Sequence, residues 1–165
     1  MKLFISIEKN GEWVYVGSIE GNSYLDARFC YDLNYMESED AKPISISLPF
    51  KEECFSVTQT RNFFEGLLPE GFTRRAVAGF LHVDESDYLQ LLKNLGKECI
   101  GAIKVSEADD PPEKDSYEKL SIEDIKALAS EGASKSSELI LDSHLSLAGA
   151  SGKVGLLFYN NKWYL

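Results

Sequence analysis

Asn10-Gly11 sits between two runs that both read as strand, LFISI at 3–7 and WVYVGSI at 13–19. An Asn-Gly pair accepts positive φ at both central positions of a two-residue turn, and that turn matches the twist of paired strands. The chain is therefore expected to open with an antiparallel hairpin. Gly21-Asn22 marks a second turn, and 24–31 predicts a third strand. Residues 34–42 are acidic and loop-like. ISISL at 44–48, between Pro43 and Pro49, alternates apolar residues with serine and predicts a short strand with one buried face.

After residue 55 the apolar period becomes helical. Ser56 is placed to cap a helix running to about Leu68, before Pro69, with Phe63, Phe64, Leu67 and Leu68 on one stripe. Pro69-Glu70-Gly71 breaks it. A second helix is predicted over 72–81, with Glu70, Arg74 and Arg75 in water. A third opens at Asp84, buries Leu89, Leu91, Leu92 and Leu95, and stops at Gly96. Residues 99–105 return to strand. The polar stretch SEADDPPEKDS at 106–116 reads as a connector. Beyond it, Ser121 opens a helix ending near Gly132, 139–147 is extended, and two strands at 154–159 and 162–165 flank an Asn160-Asn161 turn.

The net charge is −10. An acidic chain repels phosphate backbones, so direct nucleic-acid binding by this segment is not expected. No apolar run is long enough to cross a bilayer, and the first ten residues do not read as a signal peptide. Composition points to a soluble globular protein. Cys30, Cys54 and Cys99 lie far apart, with no CxxC pair and only His82 and His144 beside them. That excludes a zinc site by spacing. The cysteines are expected to be buried, reduced thiols of a cytoplasmic protein. His82 is expected at the surface. Glu52-Glu53 and Asp84 to Asp87 suit helix starts through the macrodipole.

Between two strand-like runs lies Ser146-Leu147-Ala148-Gly149-Ala150-Ser151-Gly152-Lys153. Small side chains let successive backbone N–H groups approach a polyanion, and Ser151 and Lys153 add a hydroxyl and a charge. Val154 follows the lysine, so the run is not a Walker A loop. Read by its residues, it is either a phosphate-binding strand–turn–strand or an ordinary small-residue hairpin.

Five segments in order resemble the HipA family of bacterial kinases: PISISLPF at 43–50, NFFEGLLPEG at 62–71, the arginines at 74–75, LLKNLGKECIGAIKV at 91–105 and LSLAGASGK at 145–153. The resemblance covers nearly the whole chain. It implies an α+β fold: a small, mostly antiparallel sheet or partial barrel with three packed helices, followed by the first strands of a kinase-like N-lobe. Residues 1–105 would be the N-terminal subdomain, 106–120 a linker, and 121–165 the start of the N-lobe.

By the same resemblance, the parent is a serine/threonine kinase, the toxin of a type II toxin–antitoxin pair, using ATP and magnesium. Its partners would be a HipB-like helix-turn-helix antitoxin, which alone touches DNA, and the remaining kinase domain. Ala148, Gly149, Ala150, Ser151, Gly152 and Lys153 would belong to the ATP loop, and Ser146 matches the autophosphorylated serine. A phosphate there adds roughly −1.5 to −2 charge beside the nucleotide, which disfavours the bound loop. The family often has glutamine where Ser151 stands. The lysine strand, the catalytic aspartate loop and the magnesium-binding aspartate fall after Leu165 in the family, so these 165 residues alone are expected not to transfer phosphate. Two other readings remain. Some relatives carry this subdomain on a separate chain that binds and inhibits the kinase, and a plain interaction module with no kinase link is the third.

Overall fold

The computed structural model describes residues 1–96, 98–99, 103–107, 119–131, 145–146 and 155–164. Strands β1 (Lys2–Lys9) and β2 (Glu12–Glu20) form the expected hairpin around Asn10 and Gly11, both at positive φ. Val16 is an extra residue in their register, because Ile5 faces Gly17 while Ser6 faces Tyr15. A Cβ on Gly17 would collide with the Cys30 carbonyl of the next strand, which is why glycine stands there.

That next strand, β3, covers only Arg28–Tyr31. The expected start at residue 24 is replaced by a turn. Asp26 accepts from the Ser23 amide at 2.8 Å and from the Asn22 side chain at 3.0 Å, and these local bonds outcompete a ladder. Within 34–42 lies a one-turn helix, α1 (Leu33–Met36), capped by Asp32.

The 44–48 strand does not form. Ser45 and Leu48 make a single isolated bridge around a turn, and Ile46 is fully exposed. The Ser47 amide donates to Ser45 Oγ at 3.2 Å. Tyr31 fixes both ends of the turn: its hydroxyl donates to the Leu48 carbonyl at 2.7 Å and accepts from the Ile44 amide at 2.9 Å.

Helix α2 (Val57–Glu65) begins with the Ser56–Gln59 capping box and ends at Glu65, three residues before Leu68, with Gly66 as its cap. Helix α3 (Gly71–Leu81) follows, then α4 (Tyr88–Leu95). The last starts at an Asp87 cap rather than at Asp84, whose carboxylate instead closes a turn onto Ser86. Gly96 ends it as expected, in right-handed geometry. His82 is exposed and takes the left-handed cap of α3.

The 99–105 run proves to be two strands, β4 (Glu98–Cys99) and β5 (Ile103–Ser106), paired antiparallel. Farther on come β6 (Lys119–Leu120), α5 (Ile122–Glu131), β7 (Leu145–Ser146), β8 (Leu157–Tyr159) and β9 (Lys162–Tyr164). Asn160 and Asn161 make the last turn, both at positive φ.

The fold is α+β. The main sheet runs β3-β2-β1-β5-β4-β7, antiparallel except for the parallel β4–β7 pair, and a second sheet runs β6-β9-β8. Among the described residues the main sheet is mostly antiparallel, as expected, and not closed: β3 and β7 are its two edges. Helices α2 and α4 pack on it. Phe29 anchors the core, with ring centroids at 4.8 Å from Tyr31, 5.3 Å from Phe64 and 5.9 Å from Phe55. Leu89, Leu91, Leu92 and Leu95 of α4 are buried in the same core.

The thiol expectation fails for two cysteines. Cys30 and Cys54 form a disulfide, with Cys30 half-buried on β3 and Cys54 exposed. Neither is a buried reduced thiol. Sequence separation of 24 hid the pairing, which arises when the segment before α2 folds back along the edge strand.

Candidate functional site

Two of the five resembling segments meet in space. Ser47, from the 43–50 turn, and Gln59, Asn62, Phe63, Gly66 and Leu67, from α2 and its C-terminal turn, line an open groove of about 400 Å³. The stripe expected for α2 splits in two here. Phe64 and Leu68 are fully buried, whereas Phe63 and Leu67 are partly buried and face the groove. Phe63 stands edge-on to Phe64 at 4.9 Å, so the groove wall rests directly on the core.

Behind this wall lies an ion-pair network. Arg61 Nε donates to Glu65 Oε2 at 2.7 Å, one helical turn apart, and Arg74 Nη2 donates to Glu65 Oε1 at 2.8 Å. Arg74 Nε also donates to the Glu85 carbonyl at 2.7 Å, tying α3 to the approach of α4. Arg74 is therefore not in water; its side chain is 14% exposed. Sequence reasoning missed this network; only its Arg61–Glu65 half carries a spacing signal, i,i+4, since Arg74 is brought to Glu65 across the break at Pro69. Arg75 and Glu70 are exposed, as expected.

The Arg61 bond first, and Arg74 after it, hold the Glu65 carboxyl below its ordinary value. Its stabilising effect is complete above the ordinary carboxylate range and is lost as pH falls through the depressed folded value. Glu65→Gln is expected to cost about 1–3 kcal/mol at neutral pH. Urea titrations at pH 7 and pH 3 check this, and the difference between wild type and variant should shrink in acid.

Of the nucleotide-loop residues, only Ser146 is described. Ala148, Gly149, Ala150, Ser151, Gly152 and Lys153 lie outside the described residues. Ser146 is in β7, opposite Cys99 of β4, at the edge of the main sheet. The chain entering the 147–153 run is thus hydrogen-bonded to the same sheet that carries the groove-forming helices. In the second sheet, Phe158 and Trp163 are in ring contact at 4.6 Å, and both are exposed beside Leu157 and Tyr159. Among the described residues no group of His, Cys, Asp and Glu is arranged to hold a metal, and no helix is long and apolar enough to cross a membrane.

A protein of Sinorhizobium fredii named "Putative kinase Y4mE" is 35% identical over 97 residues, which make up 59% of this chain and 23% of that protein. An uncharacterized protein of Haemophilus influenzae is 29% identical over 77 residues, 47% of this chain and 73% of that much shorter protein. The chain thus spans about a quarter of the first relative. The model of the family described as HipA N-terminal domain matches residues 12–106, from β2 through β5 and including the residues of the groove, the network and the disulfide. This chain belongs to the HipA N-terminal domain family.

Proposed function

We propose that the chain is the N-terminal portion of a HipA-like protein serine/threonine kinase, the toxin of a type II toxin–antitoxin system. It contributes the antitoxin-binding surface and the ATP loop, while the catalytic residues belong to a further kinase domain. The family match over 12–106 carries this reading, and the kinase name of a relative 35% identical over 97 residues supports it. The donor set at 148–153 fits a polyphosphate: backbone N–H groups, one hydroxyl and one lysine. ATP with magnesium supplies the transferable phosphoryl group. The chain's own task is to hold the phosphates and orient them. The exposed Leu157, Phe158, Tyr159 and Trp163 suit a surface that the kinase domain covers. The partners are that domain and a HipB-like helix-turn-helix antitoxin, with DNA reached only through the antitoxin, in the cytoplasm.

A specific observation favours a second reading. The Haemophilus relative is a short protein, 73% of which is matched by 77 residues of this chain. In that reading the domain works as a separate subunit that binds and inhibits a kinase. One experiment separates the two. The chain is mixed with a separately produced HipA-like catalytic half, ATP and magnesium, and phosphate is mapped by mass spectrometry. Restored transfer with phosphate on Ser146 supports the first reading. Binding with inhibition of an already active kinase supports the second, and no association defeats both. With Ser146→Ala the phosphoserine of this peptide is expected to vanish; its persistence removes the assignment of Ser146.

A further inference from the structure

We propose that Cys30 and Cys54 are a reversible thiol–disulfide site whose co-reactant is a low-molecular-weight thiol–disulfide couple such as glutathione. Three observations carry it. The pair is bonded, with Cα atoms 4.3 Å apart. The two residues differ in exposure: Cys54 is exposed while Cys30 is half-buried on the edge strand. And the contacts that bring them together do not depend on sulfur.

Those contacts surround the pair. The Phe55 amide donates to the Phe29 carbonyl at 2.8 Å, and the Phe29 amide donates to Thr60 Oγ1 at 2.9 Å in a buried setting. Tyr31 holds the 44–48 turn by its two hydrogen bonds. Phe29, Tyr31 and Phe55, neighbours in sequence of the two cysteines, are packed ring to ring. With the bond open, these contacts keep the thiols adjacent. Adjacency favours an internal disulfide over a mixed one, since the second thiol is already in place. Cys99 does not compete. It lies in β4, four strands away across the sheet, roughly 19 Å at about 4.8 Å per strand.

The chemistry runs in two exchanges. Cys54 as thiolate attacks the small disulfide, forms the mixed disulfide and releases one small thiolate. The Cys30 thiolate then attacks the Cys54 sulfur and expels the second. Two protein thiols lose two electrons and two protons in sum, and one small disulfide becomes two small thiols. Excess small thiol reverses both steps. The closed bond pins the segment before α2 to β3, so oxidation stiffens the strap that leads from Ser47 of the groove into α2 and covers the exposed sheet edge. This site stands independently of the proposed kinase role.

The test uses the whole chain equilibrated in glutathione buffers of graded potential, then alkylated and mapped by mass spectrometry. The expected result is joint loss of label at Cys30 and Cys54 in one two-electron step, while Cys99 stays labelled. The oxidised form should melt roughly 5–10 °C above the reduced form, with the same far-ultraviolet circular dichroism. Cys30→Ser should stop at a glutathione adduct on Cys54. The proposal is overturned if both cysteines stay labelled in the most oxidising buffer. Wild-type protein that stops at the mixed disulfide also overturns it, as does a bond that opens only when the protein is unfolded.

Discussion

Raising the pH from 10 to 12 should remove about 4 kcal/mol of folding stability, through two buried tyrosines. Burial pushes the hydroxyls of Tyr31 and Tyr88 from 10.0 up to about 12. Tyr31 is 6% exposed and Tyr88 is fully buried. In the unfolded chain both ionise near pH 10, while in the fold both stay neutral. Well below pH 10 neither state loses a proton and stability is complete. Between 10 and 12 the unfolded state alone releases protons, so stability falls by about 1.4 kcal/mol per unit for each group. Set against a typical domain stability of about 5–15 kcal/mol, that is enough to produce an alkaline unfolding transition. Urea titrations across this range measure it. Tyr88→Phe sharpens the test, because its hydroxyl has no hydrogen-bond partner among the described residues. The variant should be as stable as wild type at pH 8 and should lose only about half as much at pH 12. An unchanged alkaline slope would mean that Tyr88 is not the buried acid described.

Phe64→Ala should cost about 3–5 kcal/mol, the range for deleting a fully buried aromatic ring. Phe64 is 0% exposed and sits between Phe29 at 5.3 Å and Phe63 at 4.9 Å, joining the core to the groove wall. Its loss leaves a cavity that neither ring can fill without moving. Ile46→Ser is the paired control. That side chain is wholly exposed, so its replacement should stay within about 0.5 kcal/mol. Equal melting temperatures for wild type and the Phe64 variant would place the ring outside the core.

The candidate site was legible unevenly. Helix α2, its Ser56 cap and its apolar stripe follow from periodicity and capping chemistry, which act over a few residues. The division of that stripe into Phe64 and Leu68 inside, and Phe63 and Leu67 along a groove, depends on where the 43–50 turn comes to rest. Alternating ISISL carried a strand signal. With two prolines beside it and Tyr31 holding Ile44 and Leu48, the segment closes as a turn instead. Arg74 looked solvated because an arginine on a short helix usually is, and its partner Glu65 lies nine residues back, across a helix break.

By itself, the sequence determined several features set by neighbours in the chain: the Asn10-Gly11 and Asn160-Asn161 turns, the helix caps at Ser56 and Gly96, the buried leucines of α4, and family membership through co-linear segments. These depend on backbone freedom and on side chains a turn apart. Only the tertiary structure decided the Cys30–Cys54 bond, the Glu65–Arg74 pair, the parallel β4–β7 contact and the groove. Each joins residues separated along the chain, and no local propensity encodes which distant segments the burial of Phe29 and its neighbours will bring together.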